Sequence, residues 1–472
     1  MSFSIFYHIS GTFAITIRKK LPNPVLNRMH WIQSDERRGK PSMKIAVCTL
    51  GCKTNQFECQ AMEKLFAERG YDVVPQDCEA DAYVVNSCTV TATADKKTRQ
   101  LIRHLKRLHP HAFVAVCGCM VQTGLQDLKT ICGADMLGGN RDYEAFVRGV
   151  DEALSSRMPP HETLSAGECG FMSLPAGGLH GRTRALLKVE DGCENFCTYC
   201  IIPFARGKIR SMRLEDAEAQ TRALCAQGFR EIVLTGIEIS AYGSDLTPKH
   251  TLCDLVECVC KAAGETRISL GSLKPTIIDD AFCERLSKME NLCRHFHLSM
   301  QSGCTETLRR MNRHYTAEDV VQAVERLRHS FDDPNITADI IVGFPGETDD
   351  EFQQTMQTLE RCRLGDAHIF PYSVRKGTAA AKMPNQILSE EKRARSAACA
   401  ARCKQLRDEY LANKIGTLQT VLPEEERNGL IGGYTDQYLY VILTPSPSIV
   451  RGTPLQVRIT GQQDGELIGV PV

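Results

Sequence analysis

The sequence is short of several features that would assign a class at once. It has no charge excess, since Lys plus Arg and Asp plus Glu each number 57 in 472 residues. A nucleic-acid partner therefore has to be held by local patches rather than by a field over the whole surface. It has no convincing secretory signal: the apolar stretch SIFYHISGTFAITI is followed, not preceded, by Arg18, Lys19 and Lys20, and no small-residue cleavage site follows. The same stretch is too short and too polar for a membrane span, so no membrane partner is expected.

Cysteine is what the chain has in quantity, with 22 residues. A chain of this size needs no disulfide staples, and without an export signal the cysteines point to a reducing, cytoplasmic setting and to thiolates used as ligands. The length exceeds one core and suggests about three domains, at roughly 100–200 residues each.

Residues 1–42 read as a disordered extension or an upstream start, with the folded protein beginning at Met43. From 43 to 153 the apolar runs KIAVCTL (44–50), AYVVNSC (82–88) and AFVAVCGC (112–119) alternate with helical segments, which predicts a small parallel α/β domain. Residues 154–182, with Pro159, Pro160 and Pro175, read as a linker. Six apolar runs, each followed by a helical stretch, then fill 183–410: 185–190, 231–236, 267–273, 295–301, 338–344 and 366–373. This pattern predicts a partial (β/α)6 barrel whose reactive groups sit at the C-terminal strand ends, closed by a long helix from about Ser389 to Asn413. Residues 411–472, with TLQTVLP, YLYVILT and PLQVRIT, predict a small all-β, OB-like barrel. With four Lys and Arg against six Asp and Glu from Leu411 onward, that barrel can bind RNA only through shape and selected residues.

The segment DGCENFCTYC spaces Cys193, Cys197 and Cys200 as CxxxCxxC just after the first barrel strand. A cubane cluster normally takes four Cys ligands. Three leave one iron open to chelate the amino and carboxylate groups of S-adenosyl-L-methionine and to deliver the electron that yields a 5′-deoxyadenosyl radical. Tyr199 precedes the last Cys, as in the radical S-adenosylmethionine pattern that this segment resembles. The competing reading is a three-Cys zinc site with a fourth ligand elsewhere. Gly236 after the second strand, Gln301 and Ser302 after the fourth, and the turn GFPGET after the fifth are candidates to line the cofactor pocket, against the plainer reading of ordinary turns.

Cys52, Cys88 and Cys119 follow the three apolar runs of the first domain, and loops at the carboxyl edge of a parallel sheet converge on one crevice. A second cluster fits there, against the alternative of buried free thiols. The latter is the reading for Cys48, Cys117, Cys253, Cys258, Cys260, Cys399 and Cys403.

The motifs TLGCKTNQFE, NSCTVTATADKKTR, CGCMVQ, DGCENFCTYCIIPFARG, MQSGCTETLRRMNRHYT and GFPGET together resemble the methylthiotransferases, from Met43 to the end of the chain. Within that family they are most similar to the branch acting on tRNA N6-threonylcarbamoyladenosine. The resemblance implies a terminal TRAM β-barrel and two 4Fe-4S clusters, the second on Cys52, Cys88 and Cys119. It also implies insertion of a methylthio group at C2 of the modified adenine beside the anticodon, served by an external electron donor and a sulfur source. Isopentenyladenosine, a ribosomal protein, or a noncatalytic iron-sulfur RNA-binding role are the alternatives. A cobalamin-dependent methylase is disfavoured by the lack of a DxHxxG-type motif. Lys274, in GSLKP, stands where the family commonly has an acid.

For the tRNA, the segment ATADKKTRQLIRHLKRLHPH predicts a helix with Lys96, Arg99, Arg103, Lys106 and Arg107 within about 100° of arc and Leu101, Leu105 and Leu108 opposite. Such a face suits phosphates, although a basic face is also the ordinary solvated side of a core helix. Arg309, Arg310 and Arg313 form a second basic candidate.

Overall fold

Short apolar runs become the parallel strands, and the amphipathic stretches between them become the covering helices. In the computed structural model, which describes residues 43–124, 127–130, 132–156, 170–178, 183–427 and 429–472, these elements form three bodies. The extension read over 1–42 and most of the linker read over 154–182 lie outside the described residues.

The first body is a five-stranded parallel sheet in the order Asp72–Val74, Lys44–Thr49, Ala82–Ser87, Phe113–Gly118, Met136–Leu137. The order reverses between Lys44–Thr49 and Ala82–Ser87, and their carboxyl ends, with that of Phe113–Gly118, open on one crevice. Helix Lys53–Glu68 covers one face; Phe57, Met62 and Phe66 are buried there.

The second body has the six expected strands, Arg184–Lys188, Glu231–Thr235, Arg267–Leu270, His295–Gln301, Asn335–Val342 and Asp366–Pro371. They form two three-stranded parallel sheets joined by single bridges, Ile268 with Leu292 and Leu273 with Leu298, so the barrel is open on one side. Capping boxes at Thr251, Thr316 and Thr348 start three of the outer helices, and the long helix Ser389–Ala412 packs along the last strand.

The third body is a closed five-stranded β-barrel, consistent with a TRAM-like domain. Two of its strands, Leu430–Thr435 and Glu466–Pro471, were not among the three runs expected from sequence. Their glycines weaken the strand pattern, yet Gly433 is needed because a Cβ there would meet the Leu422 and Pro423 backbone. This barrel docks at the amino ends of the six strands. Arg184 pairs with Glu424 (2.7 Å), Arg267 donates to the Thr420 carbonyl (2.7 Å) and Arg294 pairs with Asp436 (2.7 Å). The carboxyl ends, where the cysteines lie, stay free for the first body.

Candidate active site

The loop after strand Arg184–Lys188 is pinned at both ends. The Cys193 amide donates to the Gly207 carbonyl (3.0 Å), and Thr198 donates from its amide to Met311 (3.0 Å) and from its hydroxyl to Arg310 (2.9 Å). Cys193 and Cys197 are buried and Cys200 is half-buried. Burial pushes the Cys193 thiol up to about 11 and the Cys200 thiol to about 12, so these groups stay protonated until a metal takes them. Arg313 reaches this loop: it donates to Cys197 Sγ (3.3 Å), to the Ser299 carbonyl (3.1 Å) and to Tyr315 Oη (2.8 Å). The arginine read from sequence as part of an RNA patch is thus turned inward, and Arg310 is likewise spent, on Glu351 (2.8 Å).

Around the triplet, Lys274 Nζ lies 2.6 Å from Asn195 Oδ1 and 3.5 Å from Glu238 Oε2, and Asn195 donates to the same Glu238 oxygen (2.7 Å). Lys274 therefore faces the cluster loop at the carboxyl end of the third strand. Gly236 ends the second strand against buried Glu190, whose Oε2 accepts the amides of Ile237 (2.8 Å) and Glu238 (2.6 Å); a Cβ at Gly236 would sit 2.7 Å from that oxygen. Tyr199 packs edge-on to Phe344, with ring centroids 6.4 Å apart. Gln301 is half-buried with φ +65°, which turns the chain at the strand end. Ser302 differs from the expectation that it offers its hydroxyl to a ribose. It is buried and bonded to Thr355 Oγ1 (3.2 Å) and to the Cys304 amide (3.2 Å), so it shapes the turn instead.

The other three cysteines meet at the switch point of the first sheet. Gly51 (φ +122°) brings the chain so close to Cys88 that a Cβ on it would lie 2.7 Å from Cys88 Cβ and 3.0 Å from its sulfur. Gly118 (φ +96°) leads into Cys119, and a Cβ there would overlap Asn86 and the Ser87 backbone. Cys52 is exposed toward the crevice and donates to Asn55 Oδ1 (3.2 Å), while Cys88 and Cys119 are buried. Burial pushes Cys88 up to about 12, with the charges of Cys52 and Cys119 adding to the effect.

Arg206, from the barrel segment just after the first triplet, crosses into this second site. It is fully buried and donates to Cys119 Sγ (3.2 Å), to Asn55 (3.3 Å), to both oxygens of Glu58 and to Asp191 (3.3 Å). Lys188, also fully buried, pairs with Glu58 (3.3 Å) and Asp191 (3.2 Å). Two fully buried cations and two carboxylates thus pair in the interface between the two bodies, with Arg210 adding a third cation 3.4 Å from Asp191. Burial works against the charged forms, but the mutual attraction outweighs it: the Glu58 and Asp191 carboxyls lie below the usual range and Arg206 above its own. Asn140 adds bonds to Cys119 Sγ (3.5 Å) and to the Ala205 carbonyl (3.0 Å).

Residues 187–359 match the Radical SAM superfamily, and residues 44–139 match the Uncharacterized protein family UPF0004. The sequence is 36% identical over 421 residues to Threonylcarbamoyladenosine tRNA methylthiotransferase MtaB of Bacillus subtilis, covering 88% of this chain and 93% of that one. Its namesake in Thermotoga maritima is 34% identical, covering 84% and 90%. The chain belongs to the radical SAM tRNA methylthiotransferase family. Methylthiotransferases at similar distance include a tRNA-2-methylthio-N(6)-dimethylallyladenosine synthase of Geobacillus thermodenitrificans, 33% identical, covering 92% and 85%. In fold, the chain is similar to the radical S-adenosylmethionine methyltransferase TsrM of Kitasatospora setae, with a TM-score of 0.52 at 13% identity, covering 80% of this chain and 77% of that one.

As a methylthiotransferase the chain is an enzyme that modifies tRNA and uses S-adenosyl-L-methionine and 4Fe-4S clusters. The residues fit such clusters: Cys193, Cys197 and Cys200 on one loop and Cys52, Cys88 and Cys119 at three strand ends are free thiols in sets of three, the donor set that would leave one iron of each cubane open.

The methylthiotransferase's basic helix is Ala92–Leu108, N-capped by Thr91. Its buried side is Asp95, Thr98, Ile102 and Leu105; Leu108, expected inward, is 55% exposed. Lys96, Arg103 and Arg107 are exposed and Arg99 is half-buried. Lys106 is spent on Asp135 and the Ala112 carbonyl (2.9 Å). Asp95 ties the helix start to Arg375 of the barrel. Sequence reading missed an aromatic pair on the cluster loop, Phe196 and Phe204, both more than half exposed with ring centroids 5.9 Å apart. No helix among the described residues is long and apolar enough to cross a membrane.

Proposed function

We propose that the chain installs a methylthio group at C2 of N6-threonylcarbamoyladenosine beside the anticodon, giving 2-methylthio-N6-threonylcarbamoyladenosine. The observation that carries this reading is the pair of three-thiol sites on neighbouring bodies, with Arg206, six residues after Cys200, donating to Cys119 Sγ (3.2 Å). The substrate follows the relatives that bear its name and the motif set above.

In this reading Cys193, Cys197 and Cys200 hold the cluster that binds S-adenosyl-L-methionine, and Cys52, Cys88 and Cys119 hold the second. Together the loaded clusters supply an electron for cofactor cleavage and a site for the transferred sulfur, which is the chemistry an unactivated aromatic C–H requires. The protein's own groups do the rest. Arg313 and Arg206 donate to one thiolate in each site and offset its charge. Tyr199, Gly236 and Gln301 line the cofactor pocket, and Lys274 offers a cation toward its carboxylate. Lys96, Arg99, Arg103 and Arg107 lie along phosphates, and Phe196 with Phe204 suits a splayed base. An external reductant and a sulfur source complete the cycle in a reducing cytoplasm.

Anaerobically reconstituted protein should hold close to eight iron atoms and make 5′-deoxyadenosine with dithionite. tRNA from a deletion strain should lack 2-methylthio-N6-threonylcarbamoyladenosine by mass spectrometry of its nucleosides. Unchanged levels of that nucleoside, with loss of the isopentenyl analogue, would transfer the enzyme to the other substrate.

A further inference from the structure

The lumen of the open barrel carries a polar group of side chains that the cluster chemistry does not use. Along strand His295–Gln301, Phe296, Leu298 and Met300 are buried under the helices, so His295, His297, Ser299 and Gln301 face the lumen. There Asp339 Oδ1 lies 3.2 Å from His297 Nε2 and 3.3 Å from His368 Nδ1, on neighbouring strands. Thr337 Oγ1 fixes the first ring from behind, 2.8 Å from His297 Nδ1 and 3.0 Å from His295 Nε2. His295 in turn stacks on Tyr438, which closes the lumen from the terminal β-barrel.

This group is linked through the fold to both triplets. His297 is two residues along its strand from Ser299, which Arg313 ties to Cys197. On the other side Lys53, directly after Cys52, sends its ammonium to 5.9 Å from the Tyr438 ring centre. Lys53 has no carboxylate partner among the described residues, and its charge acts on both His295 and His368. The bond to Asp339 holds His368 above its ordinary value and so favours its charged form, and Nε2 has no partner among the described residues. Burial resists the ionisation of Asp339, but the two imidazoles outweigh it and keep the carboxyl below the usual range. Lys53 and His368 are thus the basic side chains that this part of the lumen offers, beside the single carboxylate of Asp339.

We propose that Lys53 and His368, with His297 and Asp339 positioning His368, form the subsite for the carboxylate on the N6 substituent of the substrate adenosine. This rests on the substrate reading above and gives it a physical basis. The threonylcarbamoyl group brings a carboxylate for the two cations and a hydroxyl and N–H for the second Asp339 oxygen. An isopentenyl group brings none of these and would strand the same side chains without water. A divalent cation is the competing occupant, because the three ligand atoms lie within 4.8 Å of one another. Both ring nitrogens address a single carboxylate oxygen, however, which is the arrangement of two N–H donors on one acceptor.

The test uses the reconstituted full-length enzyme and anticodon stem-loop RNAs carrying N6-threonylcarbamoyladenosine, its methyl ester, or isopentenyladenosine. Wild-type enzyme should prefer the free acid over the ester by about 100-fold in kcat/KM. Lys53→Met and His368→Gln should each cut that ratio to about tenfold or less, with iron content kept; the His368 variant is remote from the cluster loops. Equal loss on acid and ester would overturn the subsite, as would a stoichiometric zinc or manganese ion that Asp339→Asn releases. Wild-type turnover of the isopentenyl RNA alone would instead remove the substrate reading, and the subsite with it.

Discussion

The two cysteine triplets are assembled by different constructions. Cys193, Cys197 and Cys200 come from a single loop, and the arginine that serves them, Arg313, belongs to the same barrel. Cys52, Cys88 and Cys119 come from three strand ends of another body, and their arginine, Arg206, is borrowed from the barrel. The first site is therefore complete within one body. The second is complete only when the two bodies are docked. Its counter-charges, Glu58 from one side and Lys188 and Asp191 from the other, make docking and thiolate compensation a single event.

The sharpest way to break the comparison is to remove a thiol from each. Cys193→Ala should lower 5′-deoxyadenosine formation by at least about 1000-fold, because the reductive cleavage needs the cluster this thiol would hold, while leaving about four iron atoms on the first body. Cys88→Ala should keep the cleavage and lose methylthio transfer. Product analysis with and without tRNA separates the two, and cleavage surviving in the Cys193 variant would reverse the assignment.

That contrast also explains what could be read in advance. The barrel triplet is legible because its chemistry is written in adjacent residues, and the six strands because each is a short apolar run followed by a helical stretch. The second triplet is legible only in part: cysteines placed after strands suggest convergence, but not which thiols stay buried. Arg206 and Arg313 give no local signal, since each is one basic residue among many until the fold brings it to a sulfur. Lys274 finds its partners in Asn195 and Glu238 the same way. The Gly-Cys pairs at 51–52 and 118–119 are the signal that sequence reading underused, because both glycines have positive φ and no room for a side chain.

A gentler break removes the arginines. Arg206→Met takes the buried guanidinium away from Glu58 and Asp191 and leaves them Lys188 and, for Asp191, Arg210 (3.4 Å), at a cost of about 3–5 kcal/mol. The loss should appear as a lower unfolding temperature and release of about half the iron on gel filtration. Arg313→Met deletes one donor to Cys197 in a half-open loop. It should keep all the iron and lower the potential of that cluster, on the order of tens of mV, as read by an EPR-monitored titration. If the Arg206 variant proved as stable as the Arg313 variant, the second site would not depend on docking.

The smallest expected effect asks which body holds the RNA. The helix Ala92–Leu108 begins four residues after Cys88 and is fixed to the barrel through Asp95 and Arg375, so its exposed cations stand at a set distance from the second site. On the barrel, exposed Arg309 is already paired with Glu306 (3.0 Å). A phosphate contact weakens all sequences alike and contributes about one unit to the salt dependence of binding. Lys96→Ala and Arg103→Ala should therefore each weaken tRNA binding several-fold and flatten the log–log salt slope by about one, whereas Arg309→Ala should change neither. Filter binding across a salt series distinguishes these outcomes. The opposite ranking would move the RNA from the body that carries the second triplet to the one that carries the first.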